Sequence, residues 1–271
     1  MRAKEIYPAS RIFGIIRDVW CSIITGSDVL SRPAPPAAPL ANYAIVCAPI
    51  SGGEFLCSVL TEAGLGRPRE HIREFFIELC RSGYALEELM QWMMQCGAEG
   101  GYFGTTLISF YLRGLIKNQA YTNAAQQFLQ RNNFRIVSLL RDPAEQAISA
   151  YFAYRTGVGK LRNPRPNTHG YADVPYDSDD IHRRFGIFRA ANRFVGEFVR
   201  QFPDALEINY RDLDQDPQSS LRRIAKFLGA PRADAFRVDL AKLPQKISRD
   251  RDQMQDYLSR LKREVASRGM V

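Results

Sequence analysis

Two stretches of this chain share one order of parts, and that order restricts the fold more than any other feature. YAIVCA (43–48) runs through the turn PISGG into the helical pattern Phe55–Ala63, which Gly64 stops. FRIVSLL (134–140) runs into RDPAEQAISAYFAYR, a helical pattern with Pro143 and Glu145 in its first turn. Unbroken apolar, β-branched runs suit strands covered on both faces, and such strands occur in parallel sheets whose crossovers are helices. A weaker strand, YFGTTLIS (102–109), and a later one, ALEINY (205–210), fall between helical patterns at roughly 71–96, 111–131, 181–201 and 219–228. The expected fold class is therefore α/β, three layers with a central parallel sheet. Residues 157–180, rich in Gly, Pro, Asn and Asp, read as a long loop.

The chain divides into residues 1–40 and residues 41–271. The first part holds an amphipathic helical pattern, IFGIIRDVWCSII, followed by a Pro-rich linker, RPAPPAAPL. That helix packs on its own domain or lies on a membrane surface or a partner. No apolar run approaches the roughly 20 residues that span a bilayer, so no transmembrane segment is expected. The N-terminus has charges within its apolar stretch and no small-residue cleavage site, a poor match to a signal peptide. Cys21, Cys47, Cys57, Cys80 and Cys96 show no C-x-x-C spacing. Neither a disulfide framework nor a metal site is expected, and a reducing cytoplasm is the default compartment.

The net charge of +8 is concentrated. Residues 131–165 carry seven Lys/Arg against two acids, and residues 241–271 carry eight against four. These segments are either solvated helical faces or two arms that meet on one polyanion. No nucleic acid partner is expected, because no helix-turn-helix, RNP or zinc-finger spacing occurs.

The turn after the first strand puts free backbone N–H groups at a helix start, where an anion is favoured. The Walker spacing G-x-x-x-x-G-K-[ST] is absent, which argues against an ordinary ATPase or kinase. At the end of the second strand Arg141 offers a fixed fork of donors, and Ser149 adds a hydroxyl two helical turns on. Arg141 either reaches an anion with Ser149 or pairs with Asp142 or Glu145.

In order and spacing these segments resemble one family. APISGGEFL is similar to the [ST]-P-R-S-G-[ST]-T-x-L turn of sulfotransferases, and the Arg141/Ser149 pair is similar to their 3′-phosphate site. AGLGRPREHIREFF, INYRDLDQDPQSSLRRIAKFLG and LPQKISRDRDQMQDYLSRLKRE resemble elements of the bacterial trehalose 2-sulfotransferase-like family, over about residues 43–265. The resemblance implies a P-loop-NTPase-like sulfotransferase fold and transfer of a sulfuryl group from PAPS to a hydroxyl, leaving PAP. The acceptor implied is a carbohydrate or another hydroxylated small molecule or glycolipid. It assigns Ser51, Gly52, Gly53, Arg141 and Ser149 to the nucleotide, Glu70 to the role of base, and Arg69, His71 and His169 to the acceptor. His71 is a rival base, and His182 is a second histidine beside the long loop.

The chain also departs from that family. Ile50 stands for an Arg, Glu54 for a Thr, and Thr105 or Thr106 for a Lys. Arg67, Arg69 or Lys160 would have to replace the missing cations. The competing reading is a catalytically inactive module of the same fold that binds PAP, a nucleotide or a protein partner. Membrane-peripheral attachment and a homodimer both stay open.

Overall fold

The computed structural model describes residues 40–71, 91, 94, 98–116, 124–156, 174–243 and 251–269. The N-terminal helix and its linker, most of the 71–96 helix, residues 157–173 of the long loop, His169 and Lys160 lie outside the described residues.

Among the described residues the sheet has the order β2-β1-β3-β4, and every pairing is parallel. Its strands are β1 (Ala41–Cys47), β2 (Tyr102–Ile108), β3 (Phe134–Leu140) and β4 (Leu206–Asn209). The register sets Cys47 against both Ile108 and Leu139, so three strands end at one level. Side-chain alternation along β1 feeds two cores. Ala44 and Val46 face one layer with α2 (Ser109–Ile116), α3 (Ala124–Arg131) and α5 (Ser178–Val199). Tyr43 and Ile45 face the other, with α1 (Gly53–Glu62) and α7 (Pro217–Phe227). Helices thus cover both faces, which is the expected three-layer arrangement.

A third cluster joins α4 (Pro143–Thr156) to α5 and to α8 (Arg251–Ser267) through Tyr151, Phe152, Ile181 and Leu261. Helix α4 buries nearly all round, because Ala, Ile, Tyr and Phe occupy every side of its middle turns. That explains why no clean stripe marks it in the sequence.

Several boundaries differ from expectation: Ser109 and Tyr210, read as the ends of strands, both open helices, and the helix expected from Ser219 begins at Pro217. The loop read over 157–180 ends early, since α5 begins at Ser178. The acidic run that resembled loop is a start signal: Asp177 accepts the Asp180 N–H, and Asp179 and Asp180 complement the helix dipole. The short α6 (Tyr210–Gln215) follows β4 directly, with Asn209 as its cap.

The strand order places a switch point between β1 and β3. The chain leaves β1 for β2 on one side, then crosses to β3 on the other. In open parallel sheets the crevice beyond the strand ends at such a point is where ligands bind.

Candidate functional site

The turn that leaves β1 is built to keep its N–H groups available. Ile50 has φ 61 and Gly52 has φ 90, both left-handed. Gly52 is the N-cap of α1 and no side chain caps that helix. By contrast α5, α6 and α7 are capped by Asp177, Asn209 and Asp216. The leading N–H groups of α1 therefore keep the capacity to bind an anion. Glycine at 52 is also required by space. A Cβ there would lie 2.4 Å from two ring carbons of Tyr210.

Arg141 leaves β3 beside this turn. Its guanidinium donates to the Ile50 carbonyl at 3.0 Å and stacks 4.2 Å from the Tyr210 ring centre. Its Nε lies 3.6 Å from Glu145, a carboxylate shared with Arg211 at 3.2 Å. Of the two sequence alternatives for Arg141, the pair with Glu145 is present, though loose, while the guanidinium is also held against the turn through the Ile50 carbonyl. The neighbouring Asp142 accepts the Ala144 N–H at the start of α4 and pairs with Lys262 of α8 at 3.1 Å. Ser149 is buried on α4, two turns from Arg141.

Ser51 is buried and its hydroxyl is committed inside the turn, donating to the Ala48 carbonyl at 2.6 Å. What Ser51 can offer an anion is its backbone N–H. Gly53 opens α1, and an added Cβ there meets only Cys47 Sγ at 3.4 Å and Thr106 Cγ2 at 3.8 Å, ordinary contacts.

The 69–71 segment runs along the outer edge of β2. Arg69 bridges Thr105, and its carbonyl accepts the Thr106 N–H at 2.8 Å. Glu70 is half-buried in this segment, and its charge is felt by Cys47 at the end of β1. Burial chiefly, with Cys57 and the Glu70 charge, pushes the Cys47 thiol up. His71 is 2% exposed, packs on Phe103 and meets Thr105 Oγ1 with Nδ1 at 3.0 Å. Burial, reinforced by the Arg69 charge, lowers its pKa to about 3, so the ring is neutral.

The departures take definite positions. Ile50 is exposed on the turn, and Glu54 is exposed on the first turn of α1, with no ion pair among the described residues. Thr105 and Thr106 are fully buried, and their hydroxyls meet His71 and Cys57 respectively. Arg67 pairs with Glu99 at 3.6 Å. His182 does not face this crevice. Its Nε2 lies 2.8 Å from Glu264 of α8, in a cluster with Tyr176, Ser178 and Arg260. The expected turn and Arg141 thus meet at one edge, whereas His182 belongs to a joint between α5 and α8.

Tyr210, Gln146 and Asn192 are site residues that carry no advance signal. A tyrosine after a strand and amides in helices are common, and only the fold brings these to the turn. Gln146 is fully buried and donates to the Pro49 carbonyl at 2.7 Å and to Ser51 Oγ at 3.1 Å.

Comparison with known proteins supplies a lineage. The Sulfotransferase family profile matches residues 79–234. No curated protein matches the chain. Among solved structures, a sulfotransferase from Alicyclobacillus acidocaldarius is 17% identical, with 83% of this chain and 93% of that one covered and a TM-score of 0.44. A mouse sulfotransferase complexed with PAP is 13% identical, with 90% and 69% covered and a TM-score of 0.41. A sulfotransferase from Mycobacterium avium is 10% identical, with 92% and 72% covered and a TM-score of 0.41.

Proposed function

This chain belongs to the sulfotransferase family, and from that premise we propose that it transfers a sulfuryl group from PAPS to a hydroxyl of a carbohydrate, glycolipid or other small acceptor. One observation supports the reading: Arg141 donates to the Ile50 carbonyl at 3.0 Å, which sets this arginine beside the turn that opens α1. The donor suits these two elements. Arg141 and Ser149 take the 3′-phosphate, and the N–H groups of Ser51, Gly52 and Gly53 take the 5′ end.

The reaction is an in-line displacement. The acceptor oxygen forms a bond to sulfur, the bond from sulfur to the bridging phosphate oxygen breaks, and PAP leaves with that electron pair. The protein's share is alignment and charge neutralisation. Glu70 takes the acceptor proton. It is preferred over His71, whose buried ring resists protonation and already engages Thr105. Arg69 flanks Glu70 on the acceptor side. Exposed Ile50 and Phe110 stand beyond the ends of adjacent strands and favour an acceptor with an apolar portion.

The replacement of a cation by Ile50 favours a second reading, a nucleotide-binding module without transfer. Radiolabelled sulfate transfer from PAPS to a panel of sugars and glycolipids, beside calorimetric titration with PAP, separates the two. Transfer that Glu70→Gln abolishes while PAP still binds supports the enzyme. PAP binding without transfer to any acceptor supports the module, and no PAP binding removes both.

A further inference from the structure

We propose that Gln146 is the positioning residue that aims the N–H groups of the β1 turn, and that with Asn192 it ties the 5′ half of the donor site to the 3′ half. The proposal rests on the donor-site reading above.

The orientation of each amide follows from its neighbours. The Ser51 hydroxyl spends its hydrogen on the Ala48 carbonyl, so its oxygen can only accept from the side facing Gln146. The Pro49 carbonyl also only accepts. Gln146 must therefore present its NH2 to the turn and its carbonyl oxygen elsewhere. That oxygen accepts from Asn192 Nδ2 at 2.8 Å, and the same NH2 donates to the Arg141 carbonyl at 3.0 Å. A connected network results, in which Asn192 donates both to the Arg141 carbonyl and to Gln146, and Gln146 donates in turn to Pro49 and Ser51.

The consequence for the turn is geometric. Ala48, Pro49 and Ile50 all have their carbonyls taken, by Ser51, Gln146 and Arg141 respectively. In a trans peptide the carbonyl and the following N–H point opposite ways. Holding the Pro49 and Ile50 carbonyls toward α4 and β3 therefore turns the N–H groups of Ile50 and Ser51 away from them. Successive N–H groups turned to one side form an anion-binding concavity. Gln146 touches no ligand, yet its loss frees the Pro49 peptide plane to rotate.

The test compares two nucleotides by calorimetry, 3′-AMP and PAP, which differ only in the 5′-phosphate. For the wild type the added phosphate should strengthen binding by about 10-fold or more, the range for charge-assisted hydrogen bonds. In Gln146→Leu, similar in bulk, that gain should shrink by about 10-fold while the 3′-AMP affinity stays within about 2-fold. Asn192→Ala, which leaves Gln146 in place but unlatched, should lose part of the gain, about 3-fold, and it provides the test if the leucine variant does not fold. Parallel weakening of both ligands, or an unchanged ratio in a folded variant, overturns the assignment and leaves Gln146 as packing. A wild type that gains nothing from the 5′-phosphate refutes the donor-site reading itself, a result separate from the variants' behaviour.

Discussion

Replacing Gly52 with alanine places a methyl group 2.4 Å from Cδ2 and Cε2 of Tyr210, in a residue held at φ 90. The left-handed backbone alone costs an L-residue about 1–2 kcal/mol. The contact adds about 1–3 kcal/mol, the usual penalty for overpacking. The ring cannot step aside freely, because Arg141 stacks on it at 4.2 Å. Together these give about 2–5 kcal/mol, or about 4–20 °C in Tm for a domain of this size. Gly53→Ala is the internal control. Its Cβ meets only ordinary contacts, and it lies within α1, where alanine exceeds glycine by about 0.5–1 kcal/mol. Urea unfolding of both variants should separate them by more than 2 kcal/mol, roughly, in opposite directions from wild type. The Gly52→Ala, Tyr210→Leu double variant should recover the contact part but not the backbone part. Equal stability of the two alanine variants refutes the reasoning, because it means that neither the tyrosine nor the left-handed turn constrains position 52.

Three further outcomes are expected. Arg141→Ala should weaken PAP binding by about 1.5–3 kcal/mol in calorimetry, the range for hydrogen bonds to charged groups, and an unchanged affinity removes Arg141 from the 3′-phosphate. Ile50→Gly should stabilise the protein by about 1 kcal/mol in denaturant unfolding, since it relieves a β-branched residue at φ 61 while its carbonyl still accepts from Arg141. Burial alone raises the Glu264 pKa, but hydrogen bonds from Arg260, His182, Ser178 and Tyr176 outweigh it and hold the carboxyl at about 2. A depressed carboxylate stabilises the fold above its ordinary pKa of 4.5, and that stabilisation is lost as pH falls toward 2. The stability gap between wild type and Glu264→Gln, up to about 3 kcal/mol at pH 7, should therefore close across that window, and a constant gap contradicts the network.

The strands were legible because burial on both faces writes unbroken apolar runs; β3 coincides with FRIVSLL residue for residue. Helix starts were less so. The DSDD run that caps and opens α5 reads as loop from composition, and only the Asp177 cap shows it to be a beginning. At the site, the turn and Arg141 were legible because special φ and a forked cation need particular residue types. Their fixing partners were not. Gln146 and Asn192 lie 46 positions apart on different helices, and Tyr210 comes from beyond a third strand. Nothing local distinguishes a helical glutamine facing water from one that is fully buried against Pro49 and Ser51.

The departures at the turn take on a different weight once their positions are known. At position 50 the backbone is what Arg141 uses, since the contact is to the carbonyl and the side chain is exposed. An apolar residue there removes a cation without removing the arginine's anchor. Glu54 lies on the exposed first turn of α1, where the helix dipole favours its charge. In water two like charges ~4 Å apart repel by about 1 kcal/mol, against about 4 kcal/mol at the effective dielectric of a protein surface cleft. The penalty therefore depends on whether the acceptor closes the crevice over Glu54. A small, well-hydrated acceptor leaves it screened, whereas one that expels water brings the larger figure into force. Glu54→Thr should accordingly help most with bulky apolar acceptors and least with free sugars. Equal effects on both acceptor classes would break the link between desolvation and this carboxylate.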